Sequence, residues 1–381
     1  MKIILLTFKN KYNLQIIIFK LKSGKMKKLQ LLFTAIIAVA LMVSCGNAGK
    51  KKTENNAKAK NITGAGATFP QPFYNKIFKT YTKEQSLLVT YGGIGSGGGI
   101  RSLKDKIVDF GASDAFLSDK KLADMPGEVL HIPTCLGAVV AAYNLPDKPA
   151  LKFTPELMEG VFMGKITNWN DPKIAAVNPG VNLPDLTITV VYRSDGSGTT
   201  FIFSDYMSKV STDWAAKIGT GKALQWPVGI GAKGNPGVAG TISQTKGAIG
   251  YIGSEYAFAQ GIPIASIQNQ AGNFILPSLE SVSASAKGEI PADTRVSLTN
   301  TTAADGYPIS SFTWLIIYKE QNYNNRSLDQ ATQTVKLIDW VVSEAAQKET
   351  TKVNYAPLPE AAVAKAKAVL AKVTYKGKAL K

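Results

Sequence analysis

Arg193-Ser194-Asp195-Gly196-Ser197-Gly198-Thr199-Thr200 is the stretch of this 381-residue chain in which residue types and spacing are most suited to chemistry. It follows the β-branched run 187–192 and precedes Phe203, Tyr206, Met207 and Val210, which fall at i, i+3, i+4 and i+7. That spacing predicts a helix with one buried face. A strand ending in a small-residue loop that opens a helix points free backbone N–H groups, two hydroxyls and the positive end of a helix dipole at one spot, which suits an oxyanion. Arg193, read as one residue past the strand, adds a guanidinium fork able to grip two oxygens of the same anion. Taken by itself the stretch reads equally as a capped helix start after a turn.

Two further small-residue loops open helices. Gly64-Ala65-Gly66-Ala67-Thr68-Phe69-Pro70 leads into Phe73, Ile77 and Tyr81, at i, i+4 and i+8, with proline at or near the first turn. Val89-Thr90-Tyr91 reads as a strand, and the glycine-rich run 92–99 then opens a helix expected to carry Ile100, Leu103 and Ile107. So many glycines either let a backbone pass very close to a ligand or form a surface loop. After a short strand at 108–111, Ala112-Ser113-Asp114 holds a carboxylate at a strand end, an odd group to find beside an anion site.

The elements that must position these loops alternate along the chain. Residues 129–132 and 137–143 read as two apolar strands. From 145 to about 313 strands and helices alternate: Thr154-Pro155 caps one helix, 173–177 reads as another, and 247–252 is a buried strand flanked by glycines. Residues 312–318 form a last apolar strand, followed by helices with apolar faces at Val335, Ile338 and Val342 and again over 358–370. His131, the only histidine, reads as structural, because a metal site would want further His or Cys ligands, so neither metal nor cofactor is expected. Cys135 lies in an apolar context and reads as buried.

A formal net charge of +17 misleads about partners. Residues 1–45 hold eight basic residues and no acidic one, and 46–60 hold five against one; 61–381 therefore keep 31 basic against 26 acidic residues, a net of +5. No run of Lys and Arg interleaved with aromatics suggests a nucleic-acid surface. Met26-Lys27-Lys28, then an apolar run to Val43, has the charged start and apolar stretch of a bacterial export signal, and it ends in Met42-Val43-Ser44-Cys45. A small residue before cysteine at this place resembles a lipobox, whose cysteine becomes the lipidated first residue of the mature protein, so Cys45 is the expected anchor. The simplest account of residues 1–25 is a start placed too early, with Met26 the real one. Residues 46–60 contain no apolar side chain larger than alanine and read as a flexible tether.

Taken together, 64–70, Gly93-Ile94-Gly95-Ser96, Asp109-Phe110-Gly111-Ala112-Ser113-Asp114, Asp195-Gly196-Ser197-Gly198-Thr199 and 247–251 resemble the motifs of periplasmic phosphate-binding proteins, the substrate-binding components of phosphate ABC transporters. The resemblance runs from about Ile62 to Leu370 and includes Gly164-Lys165-Ile166, Asn178-Pro179-Gly180 and Trp226-Pro227. It implies an α/β fold of two doubly wound domains joined by two hinge strands, like the type II periplasmic binding proteins, with ligand in the cleft between them. The crossings are expected near Asn144 and Leu315, giving one split domain, 61–144 with 315–381, and one continuous domain, 145–314. The resemblance assigns phosphate to Thr68, Phe69, Ser96, Asp114, Arg193, Ser197, Gly198 and Thr199, with Asp195 holding the Arg193 fork. One departure is Gly97, which stands where many members of that family have serine, so any side-chain donor there would be lost, with a small effect expected.

The resemblance gives the odd carboxylate a purpose. Inorganic phosphate keeps a proton at neutral pH that a lone acceptor among donors can take, whereas sulfate has none and would leave that acceptor unpaired. The implied partners are inorganic phosphate, the permease and ATPase subunits of an ABC transporter, and a membrane reached through the lipid anchor, for a monomer in the periplasm or cell envelope. The rival readings are a binder of another oxyanion and a phosphate-releasing hydrolase. Against the latter, neither Ser96 nor Ser197 sits in a Gly-x-Ser-x-Gly elbow, no histidine lies near either in sequence, and no Walker-type loop occurs.

Overall fold

Residues 4–10, 13–19 and 58–380 are described by a computed structural model, in which the chain separates into the units Met1–Glu54 and Asn55–Lys381. In the first unit β1 (Ile4–Asn10) and β2 (Asn13–Phe19) pair antiparallel, with Ile4 opposite Phe19, over a stretch that the sequence leaves without an assigned pattern. The expected export segment at 26–45 with Cys45, and the expected tether as far as residue 57, lie outside the described residues.

The second unit opens with β3 (Asn61–Gly66), α1 (Gln71–Gln85), β4 (Leu88–Gly93), α2 (Ser96–Lys104) and β5 (Phe110–Ser113). Strand β3 pairs parallel with both β4 and β5, which brings their carboxyl ends to one edge. The apolar stripe of α1 covers these strands: Phe73, Tyr74, Ile77, Phe78 and Tyr81 are all buried, and Phe78 meets Phe110 edge-on at 5.6 Å. Next come β6 (Val129–Tyr143), β7 (Lys152–Phe153), α3 (Pro155–Phe162) capped by Thr154, α4 (Pro172–Val177), β8 (Thr189–Arg193), α5 (Gly198–Val210), β9 (Ile230–Ala232), α6 (Gly234–Gln244), β10 (Ala248–Gly253) and α7 (Ser254–Gln260). Strands β11 (Ser266–Gln268) and β12 (Phe274–Ile275) join β7 in a small sheet, then β13 (Ser310–Tyr318), α8 (Leu328–Val341) and α9 (Glu360–Leu370) follow, ahead of a short hairpin of Thr374–Tyr375 with Lys378–Ala379.

The large sheet runs β4-β3-β5-β13-β6-β10-β8-β9. Its joint is β6, whose fifteen residues are all buried. Over 129–138 it pairs antiparallel with β13, and over 139–143 with β10. Beyond β10, strands β8 and β9 again run parallel, so the sheet carries two parallel sets, one on each side of the β6–β13 pair.

Three readings of the sequence shift. The two strands expected at 129–132 and 137–143 are one, because the ladder absorbs Pro133, which has no N–H to give, through a register shift: Thr313 faces Cys135 while Trp314 faces Pro133. Helix α2 ends at Lys104, so Ile107 lies past its end and is 71% exposed instead of extending its buried face. Arg193 is the last residue of β8 and β5 begins at Phe110, each a small displacement from the expected boundary. His131 is buried, its Nε2 accepting the Leu117 N–H at 3.0 Å; burial, then the charge of Arg295, lower its pKa to about 3, which leaves it a neutral acceptor.

Candidate functional site

Strands β3, β4 and β5 on one side and β8, β9 and β10 on the other all end at the same place, and in open α/β sheets ligands bind beyond the carboxyl ends of the strands. The connections that leave those ends carry the residues singled out from the sequence. Thr68 and Phe69 follow β3, Ser96 opens α2, Asp114 follows β5, and Ser197, Gly198 and Thr199 open α5.

The two sets of loops touch. Gly97 N donates to Gly196 O at 2.8 Å, and a Cβ on Gly198 would lie 2.4 Å from Ser96 Oγ and 2.6 Å from Asp114 Oδ2. Gly95, at φ +83°, would place a Cβ 2.4 Å from Asp195 Oδ2. Only glycine permits these approaches. At Gly97 a side chain would begin 3.2 Å from the Gly196 Cα, a tight contact that a shift of a few tenths of an ångström would relieve.

Donors dominate what converges. Ser197 caps α5 by accepting the Thr200 N–H at 3.0 Å, which leaves the N–H groups of Gly198 and Thr199 as orphan donors of the first turn. Among the described residues no protein acceptor takes the N–H of Thr68 or Phe69. The Phe69 ring is in the core, edge-on to Tyr355, so this residue offers only its backbone to the site. Arg193 is buried, with Nε donating to Asp195 Oδ1 at 2.8 Å, Nη2 to Asp195 Oδ2 at 2.7 Å and Nη1 to Thr199 Oγ1 at 3.3 Å. Burial by itself would raise the Asp195 carboxyl, but the bonds and charge of Arg193 and the Gly234 N–H hold it below its ordinary value. Ionised Asp195 thus fixes the plane of the guanidinium.

Against these donors stands one carboxylate. Asp114 is 1% exposed; its Oδ1 accepts the Thr313 hydroxyl at 2.7 Å, its N–H goes to Ser96 Oγ at 3.2 Å, and its buried Oδ2 has no hydrogen-bond partner in the protein. Burial pushes its pKa up to about 7, against the pull of the Thr313 hydroxyl, the Arg193 charge and the Ser96 hydroxyl. Glu255, the second residue of α7, is also buried, and burial drives its pKa well above its ordinary value. Chemically, such an arrangement offers many donors to the bare oxygens of an oxyanion and one acceptor, Asp114 Oδ2, to a hydroxyl.

The structure brings together every residue named from the sequence for this site and adds others that it did not flag. Thr313 reaches Asp114 from β13. The Tyr251 hydroxyl accepts the Arg193 N–H at 3.0 Å and shares a 2.7 Å bond with Thr200 Oγ1. Asn235 bonds to both Thr68 and Thr199, and the Tyr256 hydroxyl donates to the Thr68 carbonyl. For Tyr251 a signal was present, since it stands in a motif already quoted. For Thr313, Asn235 and Tyr256 only contacts distant in sequence reveal the role.

Known proteins resemble this chain in sequence and in fold. The PBP superfamily domain matches residues 51–345. The phosphate-binding protein PstS of Pasteurella multocida is 41% identical over 317 residues, covering 82% of this chain and 90% of the relative. That of Haemophilus influenzae is 42% identical over 310 residues, covering 80% and 90%. Among solved structures, a high-affinity periplasmic phosphate-binding protein bound with phosphate (PfluDING) superposes with a TM-score of 0.62 at 22% identity, covering 81% of this chain and 93% of that one. An ABC-type phosphate transport receptor from Vibrio cholerae gives 0.52 at 19% identity, covering 78% and 100%. The mixed α/β architecture with its large curled sheet is the type II-like fold of periplasmic binding proteins. By its sequence match over most of its length, the chain belongs to the PstS family of phosphate-binding proteins.

Proposed function

We propose that this protein binds inorganic phosphate between its two sets of parallel strands and delivers it to the permease of an ABC transporter for import. The observation that carries the reading is the lone carboxylate, Asp114, whose buried Oδ2 has no partner amid converging donors. The names of the relatives, which are phosphate-binding proteins, support the same ligand. In this reading the donors are the amide and hydroxyl of Thr68, the amide of Phe69, the hydroxyl of Ser96, the guanidinium of Arg193, the hydroxyl of Ser197, the amide of Gly198 and both groups of Thr199. Asp195 holds the guanidinium and Asp114 takes the phosphate proton. No residue is assigned a catalytic role.

The cleft lies between a split domain, 61–144 with 315–381, and a continuous one, 145–314. The change of partner along β6, from β13 to β10 between Ala138 and Val139, supports a hinge at that strand. Contacts across the seam, such as Gly97 to Gly196, belong to the closed form, and closure completes the site. Among the described residues no helix is long and apolar enough to cross a membrane, and the reading places a monomer at the cell envelope, anchored through lipidated Cys45 and serving permease and ATPase subunits.

Calorimetric titration of the purified protein with phosphate and with sulfate tests the reading. Phosphate should bind, and sulfate should be weaker by a factor that grows with pH as the Asp114 carboxyl loses its proton, reaching roughly a hundredfold more at pH 9 than at pH 7. Equal affinities, or binding of sulfate alone, would turn the reading to another oxyanion.

A further inference from the structure

We infer that Asn235 is a positioning residue that fixes the polarity of two hydroxyls, Thr68 Oγ1 and Thr199 Oγ1, making both donors toward the bound anion; this rests on the reading of the site as a phosphate site. Asn235 is fully buried in the first turn of α6. Its side-chain orientation is set by Gly253, whose backbone N–H donates to Oδ1 at 3.0 Å; an N–H can only donate, so the oxygen of the amide must face it and the NH₂ must face the other way. That NH₂ donates to Thr68 Oγ1 at 3.1 Å and to Thr199 Oγ1 at 3.0 Å, and the Asn235 backbone N–H donates to Thr68 Oγ1 at 3.0 Å. Arg193 Nη1 supplies the second donor to Thr199 Oγ1, at 3.3 Å.

A hydroxyl has two lone pairs and one proton. Both lone pairs of each threonine hydroxyl are therefore taken by N–H groups that cannot accept, and each proton is left to point elsewhere. Among the described residues neither proton has a protein acceptor. A free hydroxyl can turn to give or to take; these two can only give. The site thereby excludes a ligand that presents a donor at either position, and a bare anionic oxygen is the natural occupant. Asn235 also ties the halves together, because Thr68 follows β3 while Asn235 and Thr199 lie on α6 and α5.

The test is a double-mutant cycle read by phosphate calorimetry, with ligand-free melting as the check on folding. Asn235→Ala should weaken phosphate by roughly ten- to a hundredfold, the scale of one or two hydrogen bonds to a charged group. In a Thr199→Val background, where one of the two governed hydroxyls is gone, the same change should cost distinctly less; a purely structural role would give additive losses. Asn235→Asp keeps the volume but turns the NH₂ into an acceptor that draws both hydroxyl protons away from the ligand, so it should lose more than Asn235→Ala even where its melting temperature matches wild type. Additive losses in the cycle, or phosphate affinity within twofold of wild type in either Asn235 variant, would overturn the inference while leaving the phosphate site standing. Failure of the wild-type protein to bind phosphate would remove both.

Discussion

Asp114→Asn is the substitution whose outcome the structure specifies most closely. In the wild type Oδ1 takes the Thr313 proton and Oδ2 waits, buried, for another donor. Phosphate brings that donor as its own proton. Sulfate brings none, so it is accepted only when Asp114 itself holds a proton and offers it as Oδ2–H. With the carboxyl pushed up to about 7 by burial, that form is common at neutral pH and rare at pH 9. Sulfate binding is thus linked to the uptake of one proton: above pH 7 its affinity should fall about tenfold per pH unit, roughly a hundredfold between pH 7 and 9, and it should level off below about pH 6. Phosphate should hold its affinity across the alkaline range. In the asparagine variant the amide does not titrate, the sulfate slope vanishes, and the phosphate-to-sulfate ratio at pH 9 drops by roughly the same hundredfold. Competition calorimetry at pH 6, 7, 8 and 9 and fixed ionic strength reads both slopes. A wild-type sulfate affinity that is flat from pH 7 to 9, or an equal slope in the variant, would refute the assignment and make Asp195 the next candidate.

The same group leaves a mark on stability. A carboxyl raised from 3.8 to about 7 keeps in the folded state a proton that the unfolded chain has already lost. Where the carboxyl stays buried in the phosphate-free protein, stability should therefore decline as pH rises from about 4 through 7, by at most about 4 kcal/mol from this group. Asp114→Asn should remove that decline, and denaturation curves at pH 5 and pH 8 check it.

The other expected outcomes are simpler. Arg193→Lys keeps the charge but replaces a planar fork by a point donor and abandons the paired bonds to Asp195, so phosphate affinity should fall roughly ten- to a hundredfold by calorimetry. Gly198→Ala puts a methyl within 2.4 Å of Ser96 Oγ and 2.6 Å of Asp114 Oδ2, an overpacking that should weaken phosphate by roughly five- to a hundredfold and leave melting of the ligand-free, opened protein unchanged. Small-angle scattering of the wild type should give a smaller radius of gyration with phosphate than without; an unchanged profile with tight binding would argue against closure. Cys45→Ser should move the protein from the detergent to the aqueous phase, since stable anchoring needs more than one acyl chain and the cysteine is where they would attach.

What the sequence made legible here has a common physical character. The helix-opening loops at 68, 96 and 198 announce themselves because the local backbone demands glycine and small hydroxyl residues whatever lies across the cleft. Arg193 could be read at a strand end for the same reason. Asp114 was visible as a residue but acquired a role only through the resemblance, since nothing local distinguishes it from a surface turn. Thr313, Asn235 and Tyr256 were not legible: Thr313 meets Asp114 across 199 positions, and Asn235 meets Thr68 across 167. The strand β6 was misread as two because Pro133 signals a break locally, and only the partner strand, by slipping its register at Thr313 and Trp314, lets the ladder continue. That slip falls at Thr313, the residue that donates to Asp114, so an irregularity of the sheet and the chemistry of the site share one position.

The segment before β13 shows the same limit at the scale of the whole fold. By chain order residues 291–299 fall in the continuous half, yet Thr294 Oγ1 donates to His131 O at 2.8 Å, Trp314 Nε1 donates to Thr294 O at 3.0 Å, and Arg295 Nη1 donates to Leu117 O and to Asp119, both at 2.8 Å. Two residues on, Ser297 and Thr299 bond to Asp205 and Lys209, on the helix whose first turn faces the anion site. A polar loop in the sequence is therefore a strap between the proposed halves. The Thr294 bonds are buried and costly to leave unmade, whereas the Arg295 bond to Asp119 reaches a carboxylate 90% exposed and contributes little. If the cleft opens about β6, the strap keeps its hold on His131 through Thr294 and on α5 through Ser297 and Thr299.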